Sequence, residues 1–305
     1  MKRLSKIQFL LFALWLMVCI PVSSWAVDGQ RKLTQPVPPA TFPIVINQAG
    51  SYVLTSNLVV PAELADTNAI EITVNDVTLD LNGHKIQGPN TGAGNANGIY
   101  AADRYSITIK NGRIWGFGQC GVWLYSSSDP TEKGAGHIIE NIQATNNAYG
   151  GIRVTAGLII NCTANNNGIV PHTSIGISVW NSTVTNCTAN NNIGYGISSS
   201  TSTITQCTTN YNSLSGIISN SSIIKNCTVC NNSYHGIYSG EPSYSKSYIM
   251  ENNLRDNGLY GLRFYVPNGN DFAIKNVASG NGSGNFYAES GNYMPLTGDN
   301  ANYGF

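Results

Sequence analysis

A glycine followed by an aliphatic residue recurs at Gly121-Val122, Gly151-Ile152, Gly176-Ile177, Gly196-Ile197, Gly216-Ile217, Gly236-Ile237 and Gly261-Leu262, at spacings of 30, 25, 20, 20, 20 and 25 residues. A second column runs through Asn82, Asn111, Asn141, Asn161, Asn186, Gln206, Asn226, Glu251 and Asn276. A third follows it by one residue: Ile142, Cys162, Cys187, Cys207, Cys227, Asn252 and Val277. Three columns sharing one variable period mark a chain built from a single repeated unit. Such a unit cannot bury its apolar face alone and must stack on its neighbours.

Inside each unit the pattern has a period of two, as in strands. In Ser182-Thr183-Val184-Thr185 the valine points one way and the threonines the other; beyond Asn186, Cys187 and Ala189 point in and Thr188 out. Runs such as Asn165-Asn166-Asn167 and Asn190-Asn191-Asn192 turn the chain, because Asn tolerates left-handed geometry and bonds its own backbone. No segment carries a good helical stripe. Each unit therefore reads as three short strands and three turns, one coil of an all-β solenoid. About nine or ten rungs at the strand spacing give a helix roughly 45 Å long. The column from Asn82 to Asn276 is expected to form a buried amide ladder, with Glu251 as an unexplained exception.

Composition supports this. Charged residues make up 10% of the 305 residues, while Asn reaches 38, against about 25% charge in an average soluble protein. From residue 141 to residue 240 there is no Asp or Glu, and only Arg153 and Lys225 are charged. Sixteen basic and sixteen acidic residues cancel, which leaves no electrostatic footprint for nucleic acid or anionic lipid. A hydrophobic content of 42% excludes a disordered polar chain.

Lys2, Arg3 and Lys6 precede an apolar run from Phe9 to Val22, and Ser24-Trp25-Ala26 offers small residues at a cleavage site. This is the pattern of a secretory signal peptide over residues 1–26, placing the protein outside the cytoplasm, secreted or periplasmic. No later stretch is long and apolar enough to span a membrane. The remaining divisions are an N-terminal linker or cap at 27–41, the helix at 42–290 and a C-terminal tail at 291–305.

The repeated Gly-Ile and Asn-Cys-Thr-Ala-Asn-Asn-Asn units resemble the right-handed parallel β-helix repeat proteins of the pectin-lyase-like superfamily. So do the opening residues Ile44 to Leu54, the segment Val77 to Gly83 and the closing Ile274 to Asn281. The resemblance implies the fold. It leaves function open, because such proteins include polysaccharide lyases, glycoside hydrolases, epimerases and non-catalytic envelope components.

Cys162, Cys187, Cys207 and Cys227 share the inward column and read as an unbridged core ladder of small apolar residues. Cys227 and Cys230 have Cys-x-x-Cys spacing, but no helix N-terminus is available to lower a thiol pKa. His84, His137, His172 and His235 show no ligand spacing, so neither a metal nor another cofactor is expected. Asn161-Cys162-Thr163, Asn181-Ser182-Thr183 and Asn226-Cys227-Thr228 match a glycosylation pattern. Asn161 and Asn226 are expected to be buried, which makes those matches by-products of the repeat.

The central coils cannot supply the paired carboxylates of hydrolysis, and the signatures of polygalacturonases and alginate epimerases are missing. A lyase needs only a base and a group that neutralises a uronate. Lys246, Arg255, Asp256 and Arg263 near the C-terminus are the catalytic candidates, with solvation of the last coils as the competing reading. The outward residue after each Gly-aliphatic pair gives Trp123, Arg153, Ser178, Ser198, Ile218, Tyr238 and Arg263. Trp123, Arg153, Tyr238 and Arg263 are the ligand-binding candidates, because aromatic rings stack on sugars and Arg forks onto carboxylates. The alternative is that these aromatics merely pack over the turns. The sequence thus points to a β-helix that binds an extended polysaccharide or cell-envelope glycan without turnover. A polysaccharide lyase and a structural surface protein are the rivals.

Overall fold

The computed structural model describes residues 29–38, 41–89, 94–126, 135–169, 173–240, 246–265, 270–288, 292–295 and 301–304. The signal-peptide segment and His172 lie outside the described residues. Residues from Lys32 onward form one compact unit.

Its strands lie in sheets of 14, 11 and five strands, and successive coils add their strands to the same sheets in turn. Pairing among the strands from Ile44 onward is parallel, as between Gly150–Thr155 and Ser174–Trp180 or Gly194–Ser200 and Ile217–Asn220. The only helical turn among the described residues is the 3-10 segment Ala62–Leu64. The second sheet holds eleven strands, slightly more than the nine or ten rungs read from the repeat. No helix among the described residues is long and apolar enough to cross a membrane. Residues 301–304, in the stretch read as a tail, add Tyr303–Gly304 beside Val277–Ser279.

The period-two reading holds. Val184, Cys187 and Ala189 are buried, and Thr183, Thr185 and Thr188 face outward. The aliphatic column Ile152, Ile177, Ile197, Ile217, Ile237 and Leu262 is no more than 1% exposed and forms the spine of one continuous core. Burying each such side chain is worth about 1.5–3 kcal/mol.

The corners correct one expectation. The column Asn82, Asn141, Asn161, Asn186, Gln206, Asn226 and Glu251 is exposed, not buried. Its members take positive φ, from 49° at Asn82 to 58° at Glu251. They turn the chain rather than fill it, because a left-handed residue projects its own side chain outward. From Asn141 to Lys275, the residue after nearly every left-handed corner points inward. One coil shows the rule: Asn181, Asn186 and Asn191 have φ of 47°, 52° and 56°, and Ser182, Cys187 and Asn192 behind them are buried. Asn161 and Asn226 are therefore exposed, and burial does not disqualify their glycosylation patterns.

Three internal ladders result. Asn147, Asn167, Asn192, Asn212, Asn232, Asn257 and Asn281 form the amide ladder, each Nδ2 donating to the next Oδ1 at 2.9–3.1 Å. Cys162, Cys187, Cys207 and Cys227 form the second, and Asn252, Asn276 and Asn302 continue it with amide bonds of 2.9 and 2.7 Å. Ser182, Ser202, Ser222 and Ser247 form the third, which ends where the backbone N–H of Ser247 donates to Asp271 Oδ1 at 2.7 Å. Asn276 thus belongs to the cysteine column, and Lys275, with φ 55°, takes the corner. The last repeat is one residue shorter than the spacing suggested.

Glu251 also finds its explanation. It sits at an exposed corner, and its Oε2 pairs with Lys225 Nζ of the preceding rung at 3.3 Å.

Candidate functional site

The outer face of the 11-stranded sheet carries the expected column in register. Trp123 pairs with Arg153, Arg153 with Ser178, Ser178 with Ser198, Ser198 with Ile218, Ile218 with Tyr238, and Tyr238 with Arg263. The column extends to Tyr100 beside Trp123 and to Tyr287 beside Arg263. Tyr100 follows Gly98-Ile99, an instance of the glycine–aliphatic pair absent from the repeat as first read. Tyr287 follows Phe286, where the repeat has lost its glycine and its aliphatic residue, so periodicity gave no signal.

The column divides into two aromatic–cation clusters joined by a low floor. In the first, the Arg153 guanidinium lies 5.0 Å from the Trp123 ring and 5.6 Å from the Trp180 ring. Tyr100 and Tyr125 meet Trp123 edge-on at 5.7 and 6.2 Å. Trp180 enters through the neighbouring outward column, paired with Thr155 and Ser200. Beside Arg153 opens a recess of about 190 Å³, lined by Cys120, Tyr149, Gly150, Ile152, Ile175, Ser178 and Trp180. Burial pushes the Cys120 thiol up to about 12, so it is a neutral wall of this recess.

In the second cluster the Arg263 guanidinium lies 5.3 Å from the Tyr265 ring and 5.5 Å from the Tyr287 ring. His235 stacks between Tyr238 at 5.4 Å and Tyr260 at 5.8 Å. Its Nδ1 accepts the backbone N–H of Tyr260 at 3.2 Å, and its Nε2 stands 3.5 Å from Arg263 Nη1. Burial, reinforced by the Arg263 charge, lowers the His235 pKa to about 4. The ring is neutral at pH 7, and the Nδ1 acceptor role places its proton on Nε2, towards Arg263. His235 looked isolated in the sequence because Tyr260 and Arg263 arrive from the next coil.

Between the clusters, Ser178, Ser198 and Ile218 leave a low strip. From Arg153 to Arg263 the face spans five strand spacings, about 24 Å.

The structure does not assemble the four catalytic candidates. Arg255 and Asp256 belong to a rung of the five-stranded sheet, Lys246 precedes Tyr248–Met250 of the 14-stranded sheet, and Arg263 lies on the 11-stranded face. Only Arg263 reaches the aromatic column. One carboxylate stands in that column: Glu71, beside Tyr100 on the preceding rung, and none occurs from Tyr100 to Tyr287. Among the described residues, no group of three or more His, Cys, Asp or Glu is placed to hold a metal ion. The outward threonines Thr163, Thr188, Thr208 and Thr228 align over four rungs, bounded by Gln143 and Asn253.

The coil geometry defines the class: the chain folds as a right-handed parallel β-helix. Residues 97–238 match the family model for the right handed beta helix region. Among solved structures, the Dettilon tailspike protein is similar at TM-score 0.64 and 16% identity, over 90% of this chain and 61% of the tailspike. This chain thus spans less than two thirds of the tailspike's length. Pectate lyase Pel9A is similar at TM-score 0.53 and 14% identity, over 89% of this chain and 68% of the lyase. A double mutant of the periplasmic alginate epimerase AlgG is similar at TM-score 0.54 and 14% identity, over 92% and 79% of the two chains. At these identities the likeness concerns the fold. No curated protein matches the chain by sequence.

Proposed function

We infer that the outer face of the 11-stranded sheet binds an extended polysaccharide or cell-envelope glycan without turning it over, outside the cytoplasm. The observation that carries this reading is the register of the outward column. It aligns Trp123–Arg153 and Tyr238–Arg263 on one flat face with a low strip between them. A polymer of repeating sugars laid along repeating rungs gains a weak contact at each, and the contacts multiply. Aromatic rings offer stacking faces at both ends, and the two guanidiniums offer donor forks. The solved structures of similar fold include, by name, a tailspike, a pectate lyase and an alginate epimerase, which supports a carbohydrate ligand. Scarcity of carboxylates on the face supports binding over hydrolysis.

A second reading, elimination by a lyase, draws on Arg263, a cation in the aromatic column able to neutralise a uronate; His235 does not serve as its base, because its one lone pair is held by the Tyr260 N–H. One experiment separates the two. The protein is passed over immobilised neutral and acidic polysaccharides, and retention and new chain ends are measured together. Retention without new ends, abolished by Trp123→Ala or Tyr238→Ala, is the expected result. Unsaturated products on any polymer overturn the non-catalytic reading, and absence of retention on every polymer favours a structural role.

A further inference from the structure

The recess beside Arg153 joins two features that ordinarily do not meet. One is an unpaired cation: the Arg153 guanidinium, flanked by the Trp123 and Trp180 rings, makes no hydrogen bond or ion pair with the described residues. The other is an apolar floor, formed by Cys120, Gly150 and Ile175. Gly150 keeps the floor open, since a Cβ there would stand 2.8 Å from the Ile175 carbonyl oxygen and 3.6 Å from Cys120 Sγ. The Ser178 hydroxyl, on the recess wall, has no hydrogen-bond partner among the described residues either. Trp180 and Tyr149, each 42% exposed, stand on the lining with aromatic surface turned to solvent.

A volume of about 190 Å³ is ample for a small substituent; an apolar cavity of about 150 Å³ takes a benzene molecule. A carboxylate attached directly to a sugar ring would satisfy the guanidinium and leave the floor empty. A neutral alkyl group would fill the floor and leave the cation unpaired, its desolvation uncompensated. A short side group bearing both a methyl and a carboxylate satisfies each part.

We propose that this recess is a subsite for a small carboxylate-bearing side group of the bound glycan, of the pyruvate-acetal kind. The carboxylate lies against Arg153 and Ser178, and the methyl lies on Cys120, Gly150 and Ile175. The proposal builds on the polymer-binding reading above and adds the decoration that the polymer carries.

Tryptophan fluorescence titration with methyl galactoside, its pyruvate acetal and its acetate ester tests it on the intact protein. The acetal is expected to give a saturable change and the other two none. Arg153→Met, which keeps the aliphatic stem, should weaken the acetal about tenfold or more, the scale of a charged hydrogen bond. Ile175→Phe should fill the recess and abolish the acetal response, while retention on an unsubstituted polymer persists. A response to the acetate ester equal to that of the acetal overturns the proposal, as does the absence of a saturable response to the acetal. If the acetal gives no response while polymers are still retained, the subsite fails and the polymer reading stands. A saturable acetal response with no polymer retained has the opposite meaning.

Discussion

The Oδ1 of Asn212 accepts two hydrogen bonds from Asn192 of the preceding coil, from its backbone N–H and from its Nδ2, each at 3.0 Å. The Asn212 amide in turn donates to the Ala189 carbonyl at 2.9 Å and to Asn232 Oδ1 at 2.9 Å. One side chain thus satisfies four buried polar groups on the two neighbouring coils. Asn212→Ala should leave several of them unpaired and cost about 2–5 kcal/mol, at about 1–3 kcal/mol for each buried group left unsatisfied. Asn191→Ala at the exposed corner should cost less, because it loses only left-handed preference, on the order of 1 kcal/mol. Urea denaturation of the two variants checks the order.

The glycine column answers to the same ladder. A Cβ on Gly196 would stand 2.6 Å from the Gly216 carbonyl oxygen and 2.7 Å from Asn212 Nδ2, both rigidly held. Gly196→Ala should destabilise by about 1–3 kcal/mol, the scale of overpacking a filled interior. Gly83, with φ 77° and open space around its Cβ position, provides the contrast, since its alanine variant carries backbone strain alone. Thermal unfolding of both variants measures the difference.

Cysteine and asparagine occupy successive rungs of the second ladder. Cys227 Sγ contacts the Ile204 carbonyl at 3.8 Å, as Asn252 Nδ2 contacts the Ile224 carbonyl at 3.1 Å one rung later. Cys227→Asn should therefore stay within about 1 kcal/mol of the natural protein, the worth of a typical hydrogen bond. Cys227→Leu should cost about 1–3 kcal/mol through overpacking. Hydrogen bonding to the neighbouring Cys187, followed by burial, raises the Cys162 and Cys207 thiols above their ordinary range, so both should resist a thiol reagent until the chain unfolds.

His235 gives a pH signature. Its folded pKa of about 4 lies below the ordinary 6.5, so between these values the unfolded chain binds more protons than the folded one. Stability should therefore fall as pH drops from 6.5 towards 4, and His137, also lowered to about 4 by burial, adds in the same direction. Arg263→Gln removes the charge that helps to hold His235 low, and should raise its pKa towards 6.5. NMR titration of the imidazole reads this directly, and an unchanged midpoint would refute the Arg263–His235 coupling.

The sequence by itself determined the coil. The glycine–aliphatic pairs and the Asn-Cys columns carry the period, and alternation assigns Val184 to the core and Thr183 to the surface without any coordinates. It also aligned Trp123, Arg153, Tyr238 and Arg263, because residues one period apart must stack once the coils are parallel. It did not distinguish the two members of an asparagine doublet. Asn191 and Asn192 are chemically identical, and only the backbone decides that the first turns outward at positive φ and the second enters the interior. Nor could it assemble the clusters. Trp180 beside Arg153, and His235 beside Arg263, meet across rungs whose lengths vary by five residues, and contact there depends on side-chain direction rather than spacing. Only the tertiary structure decided which of the scattered charges share a face. It left Lys246, Arg255 and Asp256 off the sheet that carries Arg263, because a coil of three strands sends neighbouring residues to different sides of the helix.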